Sequence, residues 1–509
     1  MVTTLAGVAN LARIIEGHDA DLIALISRNR ETSYADLVDQ VGRVRGGLAQ
    51  AGVRNGDRVV ILCGNNPDFV ITYFAILGLG AVVVPLNPTS PAAEIERELL
   101  VVEPVAVVVG SAVSAAWADV DLSSIPSVKL VVITEGGVTP GAVDLADLLT
   151  ADPVPIVDVE PGHLAAMIFT SGTAGDPKAA MLSHANLLAN IEQGLSAREH
   201  TGPGDVVYGV LPLFHIFGLN VMLCLSLSVG ATVLLVQRFD PATAVESIVQ
   251  RKVTIVPGAP TMWVAFSHFE ELPADSFASV RVALSGAAKL PVSAAERFEQ
   301  RFGVQIREGY GLTEASPIVT SSAGLAVRYG SVGRSLVGQE LRIVGDDGEE
   351  VPVGDAGEIY VRGDNVFLGY WNEPEATARV LQDGWLRTGD IGMVDDDGYL
   401  YLVDRAKDLI IVSGFNVFPG EVEEVLASHP GVAEVGVIGV PHPHSGEAVK
   451  AFVVLKPGVD LDEDSLIDYA LDYLARYKCP TKVIFLDELP RNAAGKLIRR
   501  ELEGTVIAS

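Results

Sequence analysis

Cysteine is scarce and basic residues are outnumbered. Only Cys63, Cys224 and Cys479 occur in 509 residues. Thiols so few and so far apart form neither a disulfide framework nor a metal knuckle, and they suit a reducing cytoplasm. Lys and Arg total 36 against 65 Asp and Glu, a formal net charge of −29. That field repels nucleic acid and anionic lipid at long range, which excludes nucleic acid as a partner. Polyphosphates are repelled too, so any site for them must be locally basic, or use backbone N–H groups and a metal ion. The opening MVTTLAGVANLARIIEGHDA lacks a basic region ahead of a long apolar core, so no signal peptide is expected. Repeats and low-complexity tracts are also missing.

One long stretch, residues 206–237, has no charged side chain at all and could span a bilayer by length. Pro212, His215, Asn220 and several Gly and Ser interrupt it. The pattern reads as strand (VVYGVLP), loop, helix (GLNVMLCLSLSV) and strand (ATVLLV), which predicts a buried α/β core rather than a membrane helix.

What is present is a globular composition, 49% apolar and 20% charged. The length exceeds the ~250–300 residues that one core organises, so two or more domains are expected. Over the first 330 residues, apolar runs such as VVILCG, AVVVPLN, VAVVVG and VKLVVIT alternate with helical segments. Near-continuous Val/Ile/Leu runs between helices predict parallel sheets covered on both faces. The alternation restarts after residues 171–178, which suggests two sheets. From Gly330, short strands between Gly- and Asp-rich turns predict a small β-rich subdomain to residue 404. After Asp404 a compact α+β domain of about a hundred residues follows, with DSLIDYALDYLARY as one helix. The fold class is thus α/β: a large N-terminal domain, 1–404, with two α/β subdomains and the β-rich one, plus a small C-terminal domain, 405–509.

Six stretches carry chemistry-bearing residues. TSGTAGDPK, 170–178, breaks an apolar strand into hydroxyls, glycines and a lysine. A Walker A loop needs four residues between its Gly and the Gly-Lys pair; here two separate Gly172 from Gly175, so this is not that loop. Its Gly and hydroxyls can still cradle an anion, although such a stretch alone is more often just a turn. PLFHIFG places His215 among apolar residues, where a satisfied core histidine is the bland alternative. In REGYGLTEAS, Tyr310 lies between glycines and Glu314 follows Thr313, a carboxylate able to hold Mg²⁺ beside phosphates or a helix start with Thr313 near its N-cap. WLRTGD ends on Asp390, able to accept from both ribose hydroxyls or simply to turn the chain. DRAKDLIIVSGFNVFPGEVE looks like an interdomain linker, and PRNAAGKLIRR puts Lys496 in a basic tail.

Taken in order, TSGTAGDPK, PLFH, YGLTE, TGD, DRAKD and the late Gly-Lys resemble the adenylate-forming enzymes: acyl-CoA synthetases, firefly-type luciferases and peptide-synthetase adenylation domains. The resemblance covers nearly the whole chain. It implies that a carboxylate attacks the α-phosphate of Mg·ATP to give acyl-AMP and pyrophosphate, and that a thiol, usually of coenzyme A, then displaces AMP. It assigns Thr170, Ser171, Gly172, Thr173 and Lys178 to the β- and γ-phosphates. Adenine would lie on Tyr310, with Glu308, Gly309 and the backbone of Gly286, Ala287 and Ala288 beside it. Thr313 would contact the α-phosphate, Glu314 would ligate Mg²⁺, and Asp390 with Arg405 would hold the ribose. Lys496 would bridge carboxylate and α-phosphate, with His215 at the mouth of the acyl pocket. Lys407 matches the hinge about which the C-terminal domain turns, and Ser413 and Gly414 would line the pantetheine tunnel. The sequence departs from the family pattern at Ala174 and Ala179, where Thr and Gly are usual, and at Ile411, where many relatives have Lys.

Amino-acid-activating relatives place an Asp soon after PLFH, and FHIFGLNVML has none. Phe217, Val221, Met222, Ala259, Met262 and Gly311 instead outline an apolar pocket, which suits a fatty acid, or an aryl or terpenoid acid. The leading reading is an acyl-CoA synthetase acting on ATP, a carboxylic acid and CoA in the cytoplasm. Competing readings are an acyl-AMP ligase that loads a carrier protein, a luciferase-like monooxygenase, and a non-catalytic acyl-binding protein. Peripheral membrane association and a homodimer are both compatible with the sequence.

Overall fold

The structure is a computed structural model. It describes residues 7–134, 139, 141–170, 178–345, 347–405, 410–412, 415–442, 446–474, 476–492, 497–499 and 501–502. The chain divides into two compact units: Met1–Tyr329, Gly333–Glu340 and Val361–Leu386 in one, and Gly330–Val332, Leu341–Tyr360 and Arg387–Ser509 in the other.

The first unit is built on two large sheets. One has eight strands in the order Gly369–Tyr370, Lys178–Ser183, Leu164–Thr170, Val82–Pro85, Arg58–Leu62, Ala106–Val109, Leu130–Ile133 and Val143–Asp144. From Leu164–Thr170 to Val143–Asp144 neighbours run parallel, as the unbroken apolar runs predict. The other has nine strands, parallel through Ile306–Gly311, Val282–Ser285, Ile255–Gly258, Val206–Gly209, Thr232–Leu235 and Ile23–Ser27. The two sheets do not simply follow one another in the chain. The hairpin Ile23–Ser27 and Arg30–Ser33 joins the second sheet by pairing with Thr232–Leu235, a long-range pairing that local periodicity does not encode.

Local chemistry explains the element starts. Pro67–Gly78 begins with Pro at its first turn, and the Asn66 side chain accepts from the Phe69 N–H. His184–Leu195 starts with a reciprocal Ser183/Asn186 capping box, which ends the strand Lys178–Ser183 at a defined residue. Each sheet buries its own core. Trp263, Phe266, Phe277 and Phe298 pack edge to face or tilted under the nine-stranded sheet; Val60, Val84, Val107 and Met167 fill the eight-stranded one.

The uncharged stretch folds as expected of a core: strand Val206–Gly209, helix, strand Thr232–Leu235. Its helix, however, opens as a π-helix, Phe217–Cys224, before one α-turn, Leu225–Ser228. Among the described residues no helix is long and apolar enough to cross a membrane.

Five short strands between Gln339 and Arg405 form a sheet of their own. In the second unit, Val432–His442 and Gly446–Leu455 pair antiparallel, with Lys482–Phe485 parallel beside them. The helices Pro419–Ala427 and Glu463–Leu471 supply Val422, Leu426 and Leu466 to one core with Val437, Val449 and Val453. The second helix is shorter than DSLIDYALDYLARY suggests. It stops at Leu471, and the N–H groups of Tyr473 and Leu474 turn back to the Ala470 carbonyl.

Candidate active site

The strand Leu164–Thr170 ends at the carboxyl edge of a parallel sheet, where α/β folds place ligands. It turns back antiparallel into Lys178–Ser183, with Thr170 opposite Lys178. Thr170 Oγ1 makes a long hydrogen bond to the Lys178 carbonyl, 3.5 Å. Ser171, Gly172 and Thr173 lie in the connection, outside the described residues. Ala179 is 1% exposed and faces Phe169 in the ladder, so its methyl fills core space.

Lys178 is half-buried, with its Nζ 5.7 Å from the centroid of the Tyr370 ring. Among the described residues no carboxylate lies within ion-pair distance of it. The Tyr370 hydroxyl donates to Glu314 Oε1 at 2.7 Å. Burial, and then the Glu314 carboxylate, push the phenol's ionisation upward, so it stays a hydrogen-bond donor. Neither Tyr370 nor its role is legible in the sequence: GDNVFLGYW carries no spacing signal.

Tyr310 sits on the strand Ile306–Gly311. Its ring is 7% exposed. A Cβ at Gly309 would come 3.0 Å from the Thr320 carbonyl, and one at Gly311 would run into the Pro317 carbonyl, so glycine lets the next strand close on the tyrosine. Thr313 is not an N-cap; it is the first residue of a single 3₁₀ turn, Thr313–Ala315, entered from Leu312.

Buried carboxamides hold that turn. Asn365 is fully buried; its Nδ2 donates to the Ala315 carbonyl at 2.8 Å, and its backbone carbonyl accepts from Ser316 Oγ at 2.8 Å. Asn220 Nδ2, on the π-helix, donates to the Ser316 carbonyl at 2.8 Å. Gln193 Nε2 donates to Asn365 Oδ1 at 3.1 Å.

Beside this, Ser285 pairs with Glu308, and Gly286, Ala287 and Ala288 follow at the carboxyl end of Val282–Ser285. Ala287 has φ +71° and, with Ala288, is exposed, so this loop presents backbone rather than side chain. Glu308 is buried, which pushes its carboxyl up to about 7 although the Leu290 N–H and Lys289 pull the other way.

His215 and Phe217 lead into the π-helix. The Phe217 N–H donates to His215 Nδ1 at 3.2 Å, which leaves the proton of the neutral ring on Nε2. The Phe217 ring reaches Gly286, where a Cβ would stand 3.1 Å from Cε1. His215, Phe217 and Gly286 therefore share one neighbourhood. Val221 is half-buried and Met222 is 1% exposed. Ala259 is 9% exposed, and Met262 belongs to the aromatic cluster under its sheet.

Asp390 belongs to the second unit. It lies on the strand Trp385–Val394, opposite Arg405, after Gly389 at φ +72°, and its N–H donates to Thr388 Oγ1 at 3.1 Å. Of the Arg405 and Ile411 side chains nothing is described. Lys407, Ser413, Gly414, Lys496 and Ala174 lie outside the described residues.

Glu314 offers a hard carboxylate, one of whose oxygens accepts from the Tyr370 hydroxyl. Mg²⁺ is commonly held by one or two carboxylates together with substrate phosphates, so this donor suits it. The described residues contain no cluster of three or more His, Cys, Asp or Glu that could cage a metal by themselves.

A parallel α/β core with a lysine-bearing hairpin at its carboxyl edge, and a tyrosine that touches both that lysine and a carboxylate, suit the binding of a nucleotide's phosphates. Residues 12–371 match the AMP-binding enzyme family and residues 421–496 the AMP-binding enzyme C-terminal domain, and the chain belongs to that family. It is an AMP-forming acid–thiol ligase. Feruloyl-CoA synthase from Amycolatopsis sp. is 38% identical over 92% of this chain and 93% of its own. The long-chain-fatty-acid–CoA ligase of Bacillus subtilis is 35% identical over 95% of this chain and 91% of its own. Among solved structures, ATP-bound MatB from Rhodopseudomonas palustris superposes with a TM-score of 0.91 at 33% identity, covering 98% of each chain.

Proposed function

We propose that this enzyme activates an apolar carboxylic acid, in the first instance a fatty acid, as acyl-AMP and passes the acyl group to coenzyme A in the cytoplasm. The observation that carries the choice of acid is the wall made by Phe217 against Gly286 beside His215. It belongs to a stretch without one Asp, Glu, Lys or Arg, so no carboxylate there pairs with an amino group of a substrate.

The physical difficulty is that carboxylate and triphosphate repel, and catalysis must supply positive charge where negative charge develops. Lys178, with Thr170, Gly172 and the hydroxyls of Ser171 and Thr173, meets the outer phosphates. Thr313 donates to the α-phosphate, and Glu314 would hold Mg²⁺, which would supply charge neutralisation at the phosphates. Tyr310 and the 286–288 backbone receive adenine; Asp390 and Arg405 receive the ribose. His215, protonated on Nε2, can donate to the incoming carboxylate. Lys496 bridges carboxylate and α-phosphate during adenylation. The C-terminal domain, 405–509, then turns at Lys407, withdrawing Lys496 and bringing Ser413 and Gly414 to the thiol.

An aryl acid is the second reading, favoured by the 38% identity to a feruloyl-CoA synthase and by a flat aromatic wall at Phe217. A panel of fatty and aryl acids, assayed for pyrophosphate with Mg·ATP and for thioester after adding CoA, separates the readings. Thioester with fatty acids supports the first and thioester with aryl acids alone the second. Pyrophosphate without thioester would replace CoA by a carrier protein as acceptor.

A further inference from the structure

Tyr370 lies outside every motif by which the sequence announces its chemistry, yet it touches two of the residues that chemistry needs. Its hydroxyl donates to Glu314 Oε1 at 2.7 Å, and its ring carries the Lys178 ammonium at 5.7 Å from the centroid. We propose that Tyr370 is the positioning residue of the metal–phosphate site, setting the Glu314 carboxylate and the Lys178 ammonium at one spacing. This rests on the adenylation reading.

The geometry around Tyr370 supports a device rather than a chance contact. Residues 367–371 are tied by backbone to both partners' elements. The Phe367 N–H donates to the Glu314 carbonyl at 2.9 Å, so the Glu314 turn is held at its main chain as well as its side chain. The Leu368 and Trp371 N–H groups donate to the carbonyls of Met181 and Ala179, each at 2.9 Å, and Tyr370 faces Ala180 in the ladder. These residues follow Lys178 on its own strand. On the other side the Tyr370 N–H donates to Thr377 Oγ1 at 2.9 Å. Gly369, at φ +126°, lets the segment lie on Thr377, whose Cγ2 would be 2.6 Å from an added Cβ. The Phe367 ring braces that of Tyr370 edge-on at 5.0 Å. A side chain anchored so completely moves little, and neither does what it holds.

The placement also solves an electrostatic conflict. A direct ion pair between the ammonium and the carboxylate would consume both charges. Tyr370 gives each a partner of its own: a neutral hydroxyl for the carboxylate, a ring face for the ammonium. A neutral partner leaves the Glu314 carboxylate its negative charge for a metal ion, and the ring leaves Lys178 its positive charge for phosphate.

The test uses the full-length enzyme and Mn²⁺ as the metal probe, read by electron paramagnetic resonance in the presence of α,β-methylene-ATP. Tyr370→Phe keeps the ring under Lys178 and removes only the hydroxyl. It should weaken Mn²⁺ binding roughly tenfold, as expected for losing a hydrogen bond to a charged group. The Mg²⁺ needed for half-maximal pyrophosphate release should rise by a similar factor, with thioester formation from supplied acyl-adenylate falling far less. Tyr370→Leu should in addition raise the KM for ATP, since the seat for Lys178 is gone. In a Glu314→Gln background, Tyr370→Phe should change Mn²⁺ binding no further. Wild-type Mn²⁺ affinity in Tyr370→Phe would overturn the proposal, as would an equal fall in both half-reactions with a lower unfolding temperature, the mark of a purely structural role. A wild-type enzyme that released no pyrophosphate with any acid would sink the adenylation reading instead, while the Mn²⁺ titration would still decide on Tyr370.

Discussion

The Phe217 ring lies against the main chain of Gly286, so close that a methyl group there would stand 3.1 Å from Cε1. That contact is tighter than ordinary packing, and the ring would have to give way. Gly286→Ala should therefore disturb the acyl wall, raising the acid KM about tenfold, since overpacking costs roughly 1–3 kcal/mol. Phe217→Ala should do the opposite and open room. Measured across acids of increasing size, kcat/KM should shift toward bulkier ones, at about 1–3 kcal/mol per methylene accommodated. An unchanged acid profile in both variants would remove Phe217 from the pocket.

Lys496 separates the half-reactions. Lys496→Ala should cut pyrophosphate release by about 100-fold or more, the scale of losing a donor to developing oxyanion charge. Thioester formation from supplied acyl-adenylate should be largely spared. Lys407→Pro should show the reverse split, because a stiffened hinge hinders the second orientation. Single-turnover assays of each half-reaction read both. Equal losses in Lys496→Ala would refute the assignment.

The fully buried Asn365 supports the turn that carries Thr313 and Glu314. Asn365→Ala strands the Ala315 carbonyl and the Gln193 amide without their partner. Buried groups left unsatisfied cost about 1–3 kcal/mol each. The denaturation midpoint should fall accordingly, and adenylation should fall further than thioester formation. A midpoint identical to wild type would show that the network relaxes at no cost.

Glu98, on the helix Ala92–Val102, is 6% exposed, and its Oε2 has no hydrogen-bond partner among the described residues. Burial raises its carboxyl from the ordinary 4.5 to about 8, with Glu94 adding to the rise and Arg97 opposing it. The folded state thus binds a proton that the unfolded state releases. Below pH 4.5 both states are protonated and the group is neutral to stability. Between pH 4.5 and 8 the folded protein loses stability as pH rises, and above that range the penalty is constant. Glu98→Met, of similar length and without charge, should raise the unfolding temperature, with a gain that grows from pH 5 to pH 8. A gain independent of pH would mean that Glu98 is ionised in the fold.

Much of the architecture was legible residue by residue. The Val-rich runs VVIL, AVVV and TVLL became parallel strands because a sheet covered on both faces demands apolar side chains in both directions. The motif order sufficed to identify the family. Shapes that depend on distant neighbours were not legible. The first hairpin crosses to the second sheet, and the helix at Phe217–Cys224 widens to a π-helix. At its start Gly218 packs so tightly that a Cβ would meet the Pro212 carbonyl. Where a helix start was the alternative at Thr313, the chain makes a 3₁₀ turn, because the strand before it runs on to Gly311.

Residue order alone established an α/β ligase of the adenylate-forming kind, because hydrophobic periodicity and motif spacing are local properties. The folded chain alone decided that Tyr370 reaches Glu314, 56 positions away. Such a meeting depends on which strand Gly369–Tyr370 joins and in what register, and that is set by the packing of the whole sheet.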